Sequence, residues 1–165
     1  MPKHTWLGKI FLLFGCQTTP SSPQHTSPSQ KGKPVEVAYR GFVGSLPHLK
    51  PEKTTITITN QEQLDAFVTM IPTEGLNKKT SAPNPDPLLT QPNITFDHDT
   101  LIIFLRSNIG FPPPQLTDAG VVDGQHLLYV HYPPQAIEAA QPMNIYQYTG
   151  FLVPRTEAPP HIITQ

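Results

Sequence analysis

The chain has a single cysteine, Cys16, in 165 residues. An internal disulfide framework is therefore excluded, as is a paired-cysteine metal or redox motif. Cations are also scarce where they would matter. From Val35 onward 7 Lys and Arg stand against 12 Asp and Glu, about five net negative charges that the whole-chain value of −1 hides. An acidic domain without a Lys or Arg cluster is a poor match for a phosphate backbone, so nucleic acid is not an expected partner. The amino-terminal apolar run is too short for a membrane-spanning helix, which needs about twenty such residues. No Gly-rich phosphate loop and no His-Glu zinc-protease motif occurs, and the sequence implies neither a cofactor nor a metal.

What is present begins at the amino terminus. Lys3 and Lys9 precede the apolar run Ile10 to Phe14, and Leu13-Phe14-Gly15-Cys16 reads as a lipobox, so residues 1–15 are expected to be a bacterial lipoprotein signal with Cys16 the lipidated residue. From Gln17 to Lys33 there is no aliphatic or aromatic side chain. Such a segment cannot bury enough apolar surface to offset its ordering entropy, and residues 16–34 are expected to be a disordered tether. Gln17 stands where an Asp would favour inner-membrane retention, so the outer membrane is the expected address. Membrane contact would be through the lipid anchor.

Residues 35–165 form one expected domain, mainly β with one helix (α+β), built as an antiparallel, sandwich-like sheet arrangement. Val35 to Arg40 and Thr54 to Thr59 alternate with period two, as half-buried strands do. At Asn60 the period changes: Asn60 suits an N-cap, Gln63 its capping-box partner, and Leu64, Phe67, Val68 and Ile71 follow at helical spacing up to Pro72. The proline-rich stretch from Pro72 to Pro92 reads as an extended surface loop. Regular structure is expected again at Ile94 to Phe96, and the uninterrupted Leu101-Ile102-Ile103-Phe104-Leu105 suggests a central strand buried on both faces. Asp123-Gly124 marks a hairpin turn between Gln115–Val122 and His126–Tyr132. A last strand is expected over Ile145 to Val153, with a short apolar tail at Ile162-Ile163.

Residues that could carry chemistry have simpler structural roles. Asp97-His98-Asp99 sets two carboxylates beside an imidazole, yet Asp-rich turns hydrogen-bond their own backbone and no second histidine stands at ligand spacing. His126 and His131 are five apart on one strand and point to opposite faces. Ser45, in Gly44-Ser45-Leu46, lacks the second glycine of a nucleophile elbow, and no strand-to-helix turn is expected there. Glu52, Glu62 and Asp65 lie near a helix start, where negative charge favours the helix dipole. An enzyme is not expected. The better candidates are binding surfaces: Phe111-Pro112-Pro113-Pro114 as a stiff recognition loop, and Tyr146 and Tyr148, which share a strand face, as an aromatic platform. A stiff connector and cross-strand core packing are the respective alternatives.

The strand ending at Thr59, the helix Asn60-Gln61-Glu62-Gln63-Leu64-Asp65-Ala66-Phe67 and the block Ile94-Thr95-Phe96-Asp97-His98-Asp99-Thr100-Leu101-Ile102-Ile103 together resemble the PrcB carboxy-terminal domain family, over roughly Thr54 to Arg155. Many of its members are bacterial lipoproteins. Where the family has a Gly-Gly-Tyr hairpin this chain has Gly110-Phe111-Pro112-Pro113-Pro114-Gln115. The resemblance implies a noncatalytic accessory role beside another envelope protein, such as a protease. A second expectation from the same loop is protease inhibition through Phe111 to Gln115.

Overall fold

A computed structural model describes residues 32–44, 54–75, 82–106, 112–134 and 145–165. The signal over residues 1–15, Cys16, the tether as far as residue 31, Ser45, Glu52 and Phe111 lie outside the described residues. Within the described part, no helix is long and apolar enough to cross a membrane.

The expected α+β, mainly β domain is what the chain forms. Among the described residues, eight strands make two four-stranded sheets. The first sheet, in the order β1-β5-β6-β8, contains β1 (Lys33–Val35), β5 (Gln115–Val122), β6 (Gln125–His131) and β8 (His161–Thr164). The second has the order β2-β7-β4-β3, with β2 (Val37–Val43), β7 (Tyr146–Pro154), β4 (Asp99–Arg106) and β3 (Thr54–Ile58). All pairings are antiparallel except β6 with β8, where the apolar tail Ile162-Ile163 adds a parallel edge strand, so the first sheet is mixed.

The second sheet is the middle layer of the domain. Ile102 and Phe104 of β4 and Phe151 and Val153 of β7 pack with Leu116, Leu128 and Val130 of the first sheet. On the opposite face Leu101, Ile103 and Leu105 meet Leu64, Phe67 and Ile71 of the α1 (Gln61–Val68) region. This is why β4 reads as a continuous apolar run: each neighbouring side chain enters a different core. The hairpin also follows its sequence signal, with Asp123 (φ 51°) and Gly124 (φ 77°) in the left-handed conformation that a two-residue turn needs.

Four expectations need correction. Val35 to Arg40 is not one strand, because the chain passes from the first sheet to the second at Glu36: Val35 joins the intersheet core, Tyr39 the helix-side core, and Val37 between them is 43% exposed. The folded domain also begins earlier than Val35, since Lys33 and Pro34, assigned to the tether, pair with Asp118 and Thr117. No strand forms over Ile94 to Phe96. The fourth concerns the proline-rich stretch, which is not merely an exposed loop. Glu74 bridges to Pro83, and Asp86 caps a second, one-turn helix, α2 (Pro87–Thr90), through a hydrogen bond that its side chain accepts from the Leu88 N–H at 3.0 Å. Leu88 is inserted into the helix-side core.

Candidate binding surface

The proline run sits where the two sheets meet. Immediately after Val35 leaves the first sheet, the chain opens a groove of about 560 Å³ between the crossing segment and the residues entering β5. Pro34, Val37, Pro112, Pro113 and Pro114 line it together with buried Phe151. Proline fixes φ and carries no N–H, so this wall is stiff and offers carbonyl acceptors without backbone donors. Pro114 is buried and Pro112 and Pro113 are half-buried. The described part of the loop is thus a seated wall, not a projecting probe.

Arg106, at the end of β4, holds that wall. Its Nη1 donates to the Pro112 carbonyl at 3.1 Å, and its guanidinium lies 5.2 Å from the centre of the Tyr132 ring, a cation–π distance. Tyr132 in turn stands edge-on to Phe104 at 6.2 Å. Burial pushes the Arg106 pKa down while Tyr132 opposes the shift; burial pushes the Tyr132 phenol up, against the Thr55 hydrogen bond and the Arg106 charge. The loop is therefore coupled through two side chains to the intersheet core.

The tyrosine platform does not form as expected. Tyr148 is fully buried, with its ring 5.4 Å from Phe67 in an edge-on contact, and Tyr146 is half-buried against the same core. They share a face, but that face is the interior one, covered by α1 and α2. Tyr148 Oη donates to Asp86 Oδ1 at 2.5 Å across 62 residues of sequence. Burial foremost, then the hydrogen bond to Asp86 and its negative charge, push this phenol far above the usual tyrosine range. Among the described residues Asp86 Oδ2 has no hydrogen-bond partner, and it lies against Gly41, where a Cβ would meet it at 1.9 Å. Sequence reasoning missed Asp86, although Asp-Pro at the N-cap and N1 positions is a legible helix start.

The remaining polar candidates resolve simply. Asp97-His98-Asp99 is a turn: the His98 and Asp99 N–H groups donate to the Thr95 carbonyl, and Arg155 Nη1 donates to the Phe96 carbonyl at 2.6 Å. His126 and His131 do face opposite ways, the first buried and the second exposed. His126 Nε2 lies 2.8 Å from Asp118 Oδ1, which also accepts from the Gly120 N–H at 2.7 Å in a β5 bulge. His126 Nδ1 is buried and has no hydrogen-bond partner among the described residues. The pair orders the bulge. Among the described residues no group of three His, Cys, Asp or Glu side chains could hold a metal ion. Compared with protein-family models, curated proteins and solved structures, the chain matches none.

Proposed function

We propose that this chain is a lipid-anchored bacterial envelope protein whose β-rich domain binds another envelope protein without catalysing a reaction. The supporting observation is the groove between Val37 and Pro112–Pro114: apolar, rigid on one wall, and edged by a large aliphatic side chain left 43% exposed. Stiff walls lose little conformational entropy when a partner docks, which favours recognition. The Cys16 anchor and the tether behind it, read from the sequence, would raise the domain's effective concentration near a partner at the membrane surface. Resemblance to the PrcB carboxy-terminal domain family points to the same accessory role. Inhibition of a protease through Phe111 to Gln115 has less support, because Pro114 is buried and Gln115 already belongs to β5.

A photo-reactive residue at position 37 of the full chain, produced in its native host, tests the reading. One discrete cross-linked envelope protein is expected, with a reduced yield in Cys16→Ala, which should leave the membrane fraction. A yield no greater than that from a photo-reactive residue at the hairpin tip, Asp123, would count against this groove as the contact.

A further inference from the structure

β8 is the outermost strand of the first sheet, and its pairing with β6 fixes which of its backbone groups face outward. The Gln165 N–H donates to the Val130 carbonyl at 2.9 Å, so the Gln165 backbone turns toward β6. In a parallel ladder residues turn toward a given neighbour alternately, which puts Ile163 and His161 with Gln165 and leaves the N–H and C=O of Ile162 and Thr164 facing away. Among the described residues nothing pairs with those groups. His161, Thr164 and Gln165 are exposed. Pro160, the next outward position, has no N–H, so the open stretch is confined to Ile162–Thr164.

That stretch is complementary to itself. An antiparallel pair exchanges hydrogen bonds between residues whose backbones face each other, and two copies of β8 about a two-fold axis at Ile163 set Ile162 of each opposite Thr164 of the other. Every open N–H then meets an open C=O. The side chains agree. Ile162 lies on the face that packs into the intersheet core, and Ile163 on the outer face beside its register partner Tyr129 and, one strand further, Thr117. The axis extends this row through Ile163 of the second copy in a non-hydrogen-bonded pair, the kind with the closer side chains. No like charges meet, because from Ala158 to Gln165 the chain has no Lys, Arg, Asp or Glu, although the domain as a whole is acidic. A longer strand of another protein would find no donor at Pro160, whereas the second copy uses every open group.

We infer that β8 is a homodimerisation edge: two copies join antiparallel at Ile163, making one eight-stranded sheet from two four-stranded ones. So short a contact belongs to the weak, transient class of interfaces. None of residues 160–165 lines the proline-lined groove, so either surface can fail without the other.

The test is sedimentation equilibrium of the full chain in density-matched detergent. A monomer–dimer equilibrium is expected, with a dissociation constant below about 1 mM. Ile163→Lys and Ile163→Glu set like charges directly opposite each other and should each weaken it about tenfold. An equimolar mixture of the two variants should restore association, since opposite charges then face across the axis. Thr164→Pro removes an outward N–H and no bond to β6, which an edge strand tolerates, and should weaken the dimer about thirtyfold through the loss of two hydrogen bonds of about 1 kcal/mol net each. Val37→Glu, in the proline-lined groove, should leave the equilibrium as it is. A chain that stays monomeric up to about 1 mM would overturn the proposal. So would a mixture that associates no better than either charged variant alone, or a dimer that Thr164→Pro leaves intact, which would put the contact elsewhere.

Discussion

The two faces of the β2-β7-β4-β3 sheet are buried by different means. Toward the first sheet, Ile102, Phe104, Phe151 and Val153 pack with Leu116, Leu128 and Val130, and two pleated surfaces meet face to face. Toward the helices, the same strands meet two short elements that cannot tile a sheet so regularly, and that face contains the Tyr148–Asp86 hydrogen bond and the close approach of Asp86 to Gly41. A one-turn helix of four residues, too short to be stable by itself, is held by a cap, a buried leucine and a hydrogen bond from the sheet. The first face should therefore respond to lost volume and the second to altered polar geometry.

Phe104→Ala breaks the comparison on the apolar side and carries the largest expected effect. Phe104 is 1% exposed and stacked edge-on with Phe151 at 5.7 Å, so truncation should lower unfolding free energy by about 3–5 kcal/mol in denaturant titration. On the other face Gly41→Ala should cost about 1–3 kcal/mol, because the added methyl meets the Asp86 carboxylate and the edge of the Tyr148 ring at 2.7 Å. The diagnostic result is coupling: the Gly41→Ala cost should shrink in an Asp86→Ala background and stay unchanged in Phe104→Ala.

Tyr148→Phe sharpens the comparison through pH. It leaves Asp86 without its phenol donor and should cost about 1–3 kcal/mol near neutrality. The folded-state pKa of Tyr148 is raised above the unfolded value of about 10, so its contribution is fully present below about pH 10 and is lost as pH rises beyond that. In that alkaline range the parent chain should lose about 1.4 kcal/mol per pH unit more steeply than Tyr148→Phe, measured by denaturant midpoints at several pH values. Tyr39 and Tyr132, whose pKa values burial also raises, remain in both proteins and cancel in the difference.

How far the sequence reached follows the same division. β4, the β5–β6 hairpin and α1 were legible because their signals are local: a continuous apolar run, an Asp-Gly turn and a capped 3.6-residue period. The sheet crossing at Glu36 was not, because Val35, Val37 and Tyr39 keep period two while the chain changes which layer it faces. Tyr146 and Tyr148 were correctly set on one face, but which layer covers that face depends on α2, and α2 depends on a contact 62 residues away. Of the candidate surface, the stiffness of Pro112–Pro114 was readable; its seat against Arg106 and the facing wall at Val37 required the fold. The β3 edge was readable as a strand, never as an edge.

Asn60→Ala gives the smallest effect and isolates the helix beside that edge from both cores. Asn60 is exposed, and its side chain accepts from the Gln63 N–H at 2.9 Å, while Gln63 Oε1 turns back to accept from the Thr59 N–H at 2.8 Å. This capping box is displaced by one residue from the usual reciprocal pair, tying the helix start to the last residue before it. Removing the Asn60 oxygen should cost about 1 kcal/mol. Because Leu64 and Phe67 stay packed, hydrogen exchange should quicken at the first turn of α1 while β4 and β7 amides keep their protection relative to global stability.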